Sequence, residues 1–173
     1  MDDRKRLFVL RHAKSSWDDP GLDDHERPLA PRGRRAAEAM AAQLRARGIA
    51  PRLVICSSAR RARETLEGVA VGGRQLIEPG LYSASASDLL QRLRGVPEAT
   101  ESVMVIGHNP ALQSLVLSLA ETGDGARRDS DLDAVRSKFP TGALATLSFD
   151  LRWSELAPGR AELEGFVTPK RWQ

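Results

Sequence analysis

A chain of 173 residues suits one compact domain and buries a full core without disulfide or metal staples. With 41% hydrophobic and 28% charged residues it reads as neither a disordered tail nor a membrane protein, and no apolar run approaches the ~20 residues of a bilayer span. A net charge of +3, with basic residues in no single stripe, argues against nucleic acid, and the lone cysteine excludes a disulfide framework and any multi-cysteine zinc site. No cleavage-site pattern follows the apolar stretch 7–10, so a cytoplasmic location is expected.

Residues 6–11 (RLFVLR) read as a short buried strand. The stretch 13–30 carries Asp18, Asp19, Pro20, Gly21, Asp23 and Asp24 and reads as a polar loop, long enough to suggest a functional role. Pro31 suits the first turn of a helix whose apolar face is Ala37, Met40, Ala41 and Leu44, with Gly48 as its stop. Residues 53–56 form a second buried strand. Ser57 or Ser58 is the expected cap of the helix that follows, with Ala62, Leu66, Val69 and Ala70 inward. Residues 74–78 suit a third strand, and Leu89, Leu90 and Leu93 mark a short helix. The clearest strand is 103–106; it ends at Gly107-His108, after which Asn109 and Pro110 are the expected N-cap and N1 of a helix showing Leu112, Leu115, Val116 and Leu119. The segment 121–138 reads as a second long, charged loop, and 143–149 and 161–167 as two final strands. Strands alternating with helices predict an α/β domain with a largely parallel sheet, whose ligands sit beyond the carboxyl ends of its strands.

Three of those ends carry residues suited to a phosphate: Arg11-His12, then Ser57-Ser58 leading to Arg60-Arg61, then Gly107-His108-Asn109. Parallel strands would gather two guanidiniums and two imidazoles in one crevice. A guanidinium offers a permanently charged planar fork of donors for phosphoryl oxygens. An imidazole is a nucleophile only with one ring nitrogen unprotonated, a state that cationic neighbours favour and that a backbone carbonyl on the other nitrogen would fix. The helix start after Ser57 adds a positive end.

Arg11-His12, the run 57–65 (SSARRARET) and the run 107–110 (GHNP) resemble the histidine phosphatase superfamily, also called phosphoglycerate-mutase-like, whose signature is Arg-His-Gly. The small size and the stretches 10–17, 27–33 and 138–144 look most like the SixA-type phosphohistidine phosphatases. The resemblance implies a single three-layer domain over 1–173, a central sheet flanked by helices. It implies that His12 is the nucleophile that becomes a transient phosphohistidine. Arg11 and Arg61, the latter in the pattern Ser-x-x-x-Arg-Ala-x-x-Thr, would clamp phosphate oxygens, and His108 would complete the pocket. Arg60 falls off the pattern and is expected to be surface charge. Lys14, Ser15 and Asn109 are expected to touch substrate. No metal and no organic cofactor is expected.

Two departures stand out. Ala13 replaces the signature glycine, and the proton donor of many members has no clear counterpart. Asp18 is the first candidate, with Asp19, Asp24 and Glu78 as substitutes, and Asn109 stands where some members carry aspartate. An alkoxide leaving group without an acid loses about 10²–10⁴-fold in rate, whereas a ring-protonated phosphoimidazole leaves as neutral imidazole. The expected substrate is therefore phosphohistidine on a protein, such as a histidine-phosphorylated signalling domain. The alternatives are a small phosphorylated molecule or a non-catalytic phosphate-recognition module. Nucleic acid and membrane are not expected partners, and a mutase would need more chain to enclose its substrate.

Other features have plainer readings. His25 reads as a solvated loop residue, the acidic loop as facing water rather than a cation, and Arg32, Arg34 and Arg35 as the wet face of a helix. Trp17 either lines the pocket mouth or packs the loop down. Cys56 fits no cysteine-phosphatase cradle: the arginine would have to be residue 62, which is Ala62.

Overall fold

The computed structural model describes residues 3–121 and 130–172. Strand β1 (Lys5–Arg11) is apolar on both faces, as expected of a strand covered on both sides. Leu7 and Val9 join Ile55 of β2 (Leu53–Ser57) and Val103 and Val105 of β4 (Ser102–Gly107) on one side. There they meet Leu89 and Leu93 of α3 (Ala86–Arg94) and Leu112, Leu115, Val116 and Leu119 of α4 (Ala111–Ala120). Phe8, Leu10, Val54, Cys56, Met104 and Ile106 face the other way. They pack on Ala37, Met40 and Leu44 of α1 (Pro31–Ala46) and on Ala62, Leu66 and Val69 of α2 (Arg60–Val69). The period-2 alternation of three apolar strands thus builds two cores and three layers.

With β3 (Arg74–Glu78), β5 (Leu144–Phe149) and β6 (Glu162–Val167), the sheet order is β3-β2-β4-β1-β5-β6. Strands β1 to β4 run parallel, β5 pairs antiparallel with β1, and β6 antiparallel with β5. The largely parallel sheet is borne out. Its registers place Arg11 opposite Gly107 and Ser57 opposite Glu78, so the three polar clusters share one edge.

Several local expectations are corrected. The segment 121–138 is not loop throughout: Ser130–Ser137 form α5, with Val135 buried against the sheet, while 122–129 lie outside the described residues. The N-cap of α2 is Ala59, not Ser57 or Ser58; Ser57 Oγ accepts the Ala59 N–H at 3.2 Å instead. Ala70 lies beyond the inner face of α2, exposed and left-handed at φ 52°, as the residue that stops the helix. The start of α4 is one residue later than expected, with Pro110 at the cap position and Asn109 Oδ1 accepting the Gln113 N–H at 3.2 Å. The loop 13–30 is also more ordered than its composition suggests. It pairs Ser15 with Leu29 and makes a short helical turn at Asp24–Glu26. Gly33 lets it lie on α1, since a Cβ there would fall 2.1 Å from the Lys14 carbonyl oxygen.

Candidate active site

The end of β1 is clamped on both sides. His12 N–H donates to the Gly107 carbonyl at 3.2 Å, and Gly142 N–H lies 3.1 Å from the Arg11 carbonyl and 2.9 Å from that of His12. Gly142 has φ +77°, a conformation that favours glycine. The ring of His12 is buried, with Nδ1 2.8 Å from the Ala13 carbonyl oxygen. A carbonyl only accepts, so Nδ1 carries the proton and Nε2 holds the free lone pair. Burial lowers the His12 pKa to about 3, opposed by the Ala13 bond and reinforced by His108, Arg61 and Arg11.

His108, at the end of β4, stands with its ring centroid 5.2 Å from that of His12. Burial and then Arg61 are the leading causes that lower its pKa to about 4. Its Nε2 is 2.8 Å from Ser57 Oγ. Its Nδ1 is buried and without a hydrogen-bond partner. Arg11 Nη1 donates to the Phe139 carbonyl at 2.9 Å, and its pKa is lowered by burial and by Arg61. Arg61, in the first turn of α2, donates from Nη1 to the Asp24 carbonyl at 2.7 Å and from Nη2 to Asp24 Oδ2 at 3.0 Å. The Nε atoms of Arg11 and Arg61 are, like His108 Nδ1, buried with no hydrogen-bond partner. Buried polar atoms are nearly always paired, so three unpartnered ones beside two imidazoles leave unused hydrogen-bonding capacity at this edge.

The four residues singled out at the strand ends therefore meet: the His12 and His108 rings stand 5.2 Å apart, with Arg11 and Arg61 close enough to act on both. The lesser expectations fare differently. Ser15 Oγ is taken by Arg27 Nη1 at 3.1 Å, so it braces the loop, and Lys14 is exposed. The Asn109 amide donates to the Phe139 carbonyl at 3.0 Å, so it positions the same carbonyl that holds Arg11, while its Oδ1 accepts the Gln113 N–H. Asp18 is exposed, its backbone N–H on Ser16 Oγ at 3.1 Å. Glu78 forms a two-pronged ion pair with Arg92 at 2.8 and 2.9 Å. The carboxylate that does reach the site is Asp24, bonded by Tyr82 Oη, by Arg27 Nε at 3.0 Å and by Arg61. The Tyr82 bond first, then Arg27 and Arg61, hold it well below the usual carboxylate range. His25 is less solvated than expected, with Nε2 2.8 Å from Ser58 Oγ and its ring 4.9 Å from Tyr82. Trp17 is 71% exposed and lies flat on the Arg27 guanidinium at 3.5 Å, so it packs the loop. Arg60 pairs with Glu64 at 3.4 Å on the surface. Cys56 is fully buried, and burial pushes its thiol up to about 12.

Two contributors escaped the reading of the sequence. Thr65 Oγ1 accepts the Ala13 N–H and donates to the Arg61 carbonyl; its place in the Ser-x-x-x-Arg-Ala-x-x-Thr run was the available signal. Tyr82 is the single tyrosine of the chain and follows the third strand at the same edge.

The fold defines the class as an α/β domain with two histidines and two arginines gathered at the carboxyl edge of its sheet. The sequence profile of the histidine phosphatase superfamily (branch 1) matches residues 7–84, a span holding Arg11, His12 and Arg61. An uncharacterized protein of Mycobacterium tuberculosis is 36% identical over 162 residues, covering 93% of this chain and all of that one. A structure assigned as the phosphohistidine phosphatase SixA of Nakamurella multipartitia is 30% identical, covers 96% of both chains and superposes with a TM-score of 0.86. The protein histidine phosphatase SixA complexed with tungstate shares the fold at 24% identity and TM-score 0.76, over 97% of this chain and 99% of that one. The chain belongs to the histidine phosphatase superfamily and is SixA-like in architecture.

Proposed function

We propose that this chain is a phosphatase acting on phosphohistidine in proteins, through a phosphohistidine intermediate on His12. The observation that carries this is the state of the His12 ring: Nδ1–H is given to Ala13, so Nε2 is left neutral and nucleophilic beside the buried Arg61 and the half-buried Arg11. In the first step Nε2 attacks phosphorus and the P–N bond of the substrate breaks. Its electron pair returns to the departing imidazole, which leaves neutral because its other nitrogen already carries a proton. In the second step water attacks the phosphorus on His12, the new P–N bond breaks, its pair returns to Nε2, and the water proton passes to solvent. Arg11, Arg61 and His108 meet the charge on the phosphoryl oxygens throughout.

The choice of leaving group rests on the carboxyl groups. Asp24 is held ionised by Tyr82, Arg27 and Arg61, Glu78 is engaged by Arg92, and Asp18 is exposed. None is poised to give a proton to an alkoxide, while phosphoimidazole needs none from the protein. The likeness to structures assigned as SixA supports the same substrate class. A metal has no part in this scheme, so a chelator leaves the rate unchanged. The decisive experiment compares rates on a phosphohistidine protein, a phosphotyrosine peptide and an alkyl phosphate. Phosphohistidine is expected to be fastest; an alkyl ester turned over equally well would make a small-molecule phosphomonoesterase the better reading.

A further inference from the structure

Ser57 closes β2 and is fully buried. Strands β2 and β4 run parallel with Cys56 opposite Ile106, so Ser57 and His108, just past that pair, come together at the carboxyl edge. Ser57 Oγ lies 2.8 Å from His108 Nε2, and one of its lone pairs already takes the Ala59 N–H at 3.2 Å. That local turn holds the hydroxyl in place. A serine hydroxyl has one proton to give and two lone pairs to offer. If Nε2 carried the ring proton, both lone pairs would be filled, and the hydroxyl proton would have no acceptor among the described residues. With the hydroxyl donating to a bare Nε2, donor and acceptor match, as buried polar groups nearly always do. Burial first, then Arg61, lowers the His108 pKa to about 4, so at neutral pH the ring has a single proton to place. A bare Nε2 leaves that proton on Nδ1.

We propose that Ser57 is a positioning residue for the phosphatase reaction: its hydroxyl donates to His108 Nε2 and holds the ring in the Nδ1–H tautomer, so that His108 meets the transferred phosphoryl group as a hydrogen-bond donor. The proposal rests on the phosphatase reading and deepens it by assigning the state of the second histidine. His108 Nδ1 is buried and without a partner, as are the Nε atoms of Arg11 and Arg61. A guanidinium nitrogen only donates. With Nδ1 protonated all three atoms are donors, and the oxygens of one phosphoryl group can accept from them. With Nδ1 bare, a lone pair would face the anion and repel the charge that the ring is there to offset. No proton moves in this role: Ser57 and His108 keep theirs while the phosphoryl group passes from substrate to His12 and then to water.

Nitrogen-15 NMR of the ring nitrogens at neutral pH decides the tautomer, without and with inorganic phosphate. The chain has three histidines, so the spectra of His12→Ala and His25→Gln assign the third. Wild-type His108 is expected to hold its proton on Nδ1 with Nε2 bare in both samples; a proton on Nε2 in either one overturns the proposal. Ser57→Ala is expected to shift His108 toward the Nε2–H form and to lower kcat on an aryl phosphate by about 10²-fold, the scale of one lost preorganised donor. Ser57→Thr keeps the hydroxyl and is expected to restore both. A serine that only supported the fold would lower the stability of Ser57→Ala while tautomer and kcat stayed at their wild-type values, and that result also overturns the proposal. Where a variant is misfolded by circular dichroism, the wild-type spectra decide alone. Absence of aryl phosphate turnover by the wild type would instead sink the phosphatase reading, and the spectra still report which atom holds the proton.

Discussion

Thr65 holds Ala13: its hydroxyl oxygen accepts the Ala13 N–H at 3.0 Å and donates to the Arg61 carbonyl at 2.7 Å. One buried side chain thereby fixes the backbone after His12, the proposed nucleophile, to the helix turn bearing Arg61, the proposed phosphate clamp. Thr65→Val keeps the volume and removes both bonds, leaving the Ala13 N–H buried and unpaired. The expected loss is about 1–3 kcal/mol of folding stability by denaturant titration, with a fall in kcat as the spacing of His12 and Arg61 loosens. A variant of wild-type kcat would show that the bond is structural only.

His12→Ala is expected to lower aryl phosphate turnover by at least about 10⁴-fold while leaving the circular dichroism spectrum unchanged. Arg61→Lys should fail almost as badly as Arg61→Ala, because an ammonium keeps the charge but not the planar fork that spans Asp24 and the pocket. A lysine variant near wild-type rate would refute the geometric role.

The two site histidines should titrate far below an ordinary imidazole. Nitrogen-15 NMR of the ring atoms is expected to give midpoints near 3 for His12 and near 4 for His108, burial being the leading cause in each case. The sign for stability follows. Both folded values lie below the unfolded value near 6.5, so the unfolded chain binds the proton first as pH falls. Their contribution is full above pH 6.5 and declines steadily toward pH 3–4, visible as falling denaturation midpoints. Midpoints near 6.5 would mean that both rings are solvated.

Asp18→Asn is expected to change kcat on an alkyl phosphate by less than about twofold, since removal of a true proton donor costs about 10²–10⁴-fold. A loss in that range would reinstate Asp18 as the acid.

Iodoacetamide should leave activity intact over hours. Cys56 is fully buried and its thiol, pushed up to about 12, holds almost no thiolate at neutral pH. Rapid inactivation protected by phosphate would revive the cysteine mechanism.

The strands, their alternation and the convergence of Arg11, Arg61 and His108 on His12 were legible in the residue order. Apolar runs of strand length declare themselves through periodicity, and parallel βα units carry the residues at their carboxyl ends to one edge. The segment 130–137 was misread because its charges mask the single buried Val135 that anchors it as a helix. What only the tertiary structure decided were closures between distant segments: Asp24 with Tyr82 across 58 residues, Arg11 with the Phe139 carbonyl across 128, Thr65 with Ala13 across 52. Such contacts have no period and no local propensity. They exist because a folded backbone brings an exposed loop, a strand end and a helix turn within hydrogen-bond reach. The same closures decide which carboxylate touches the cations.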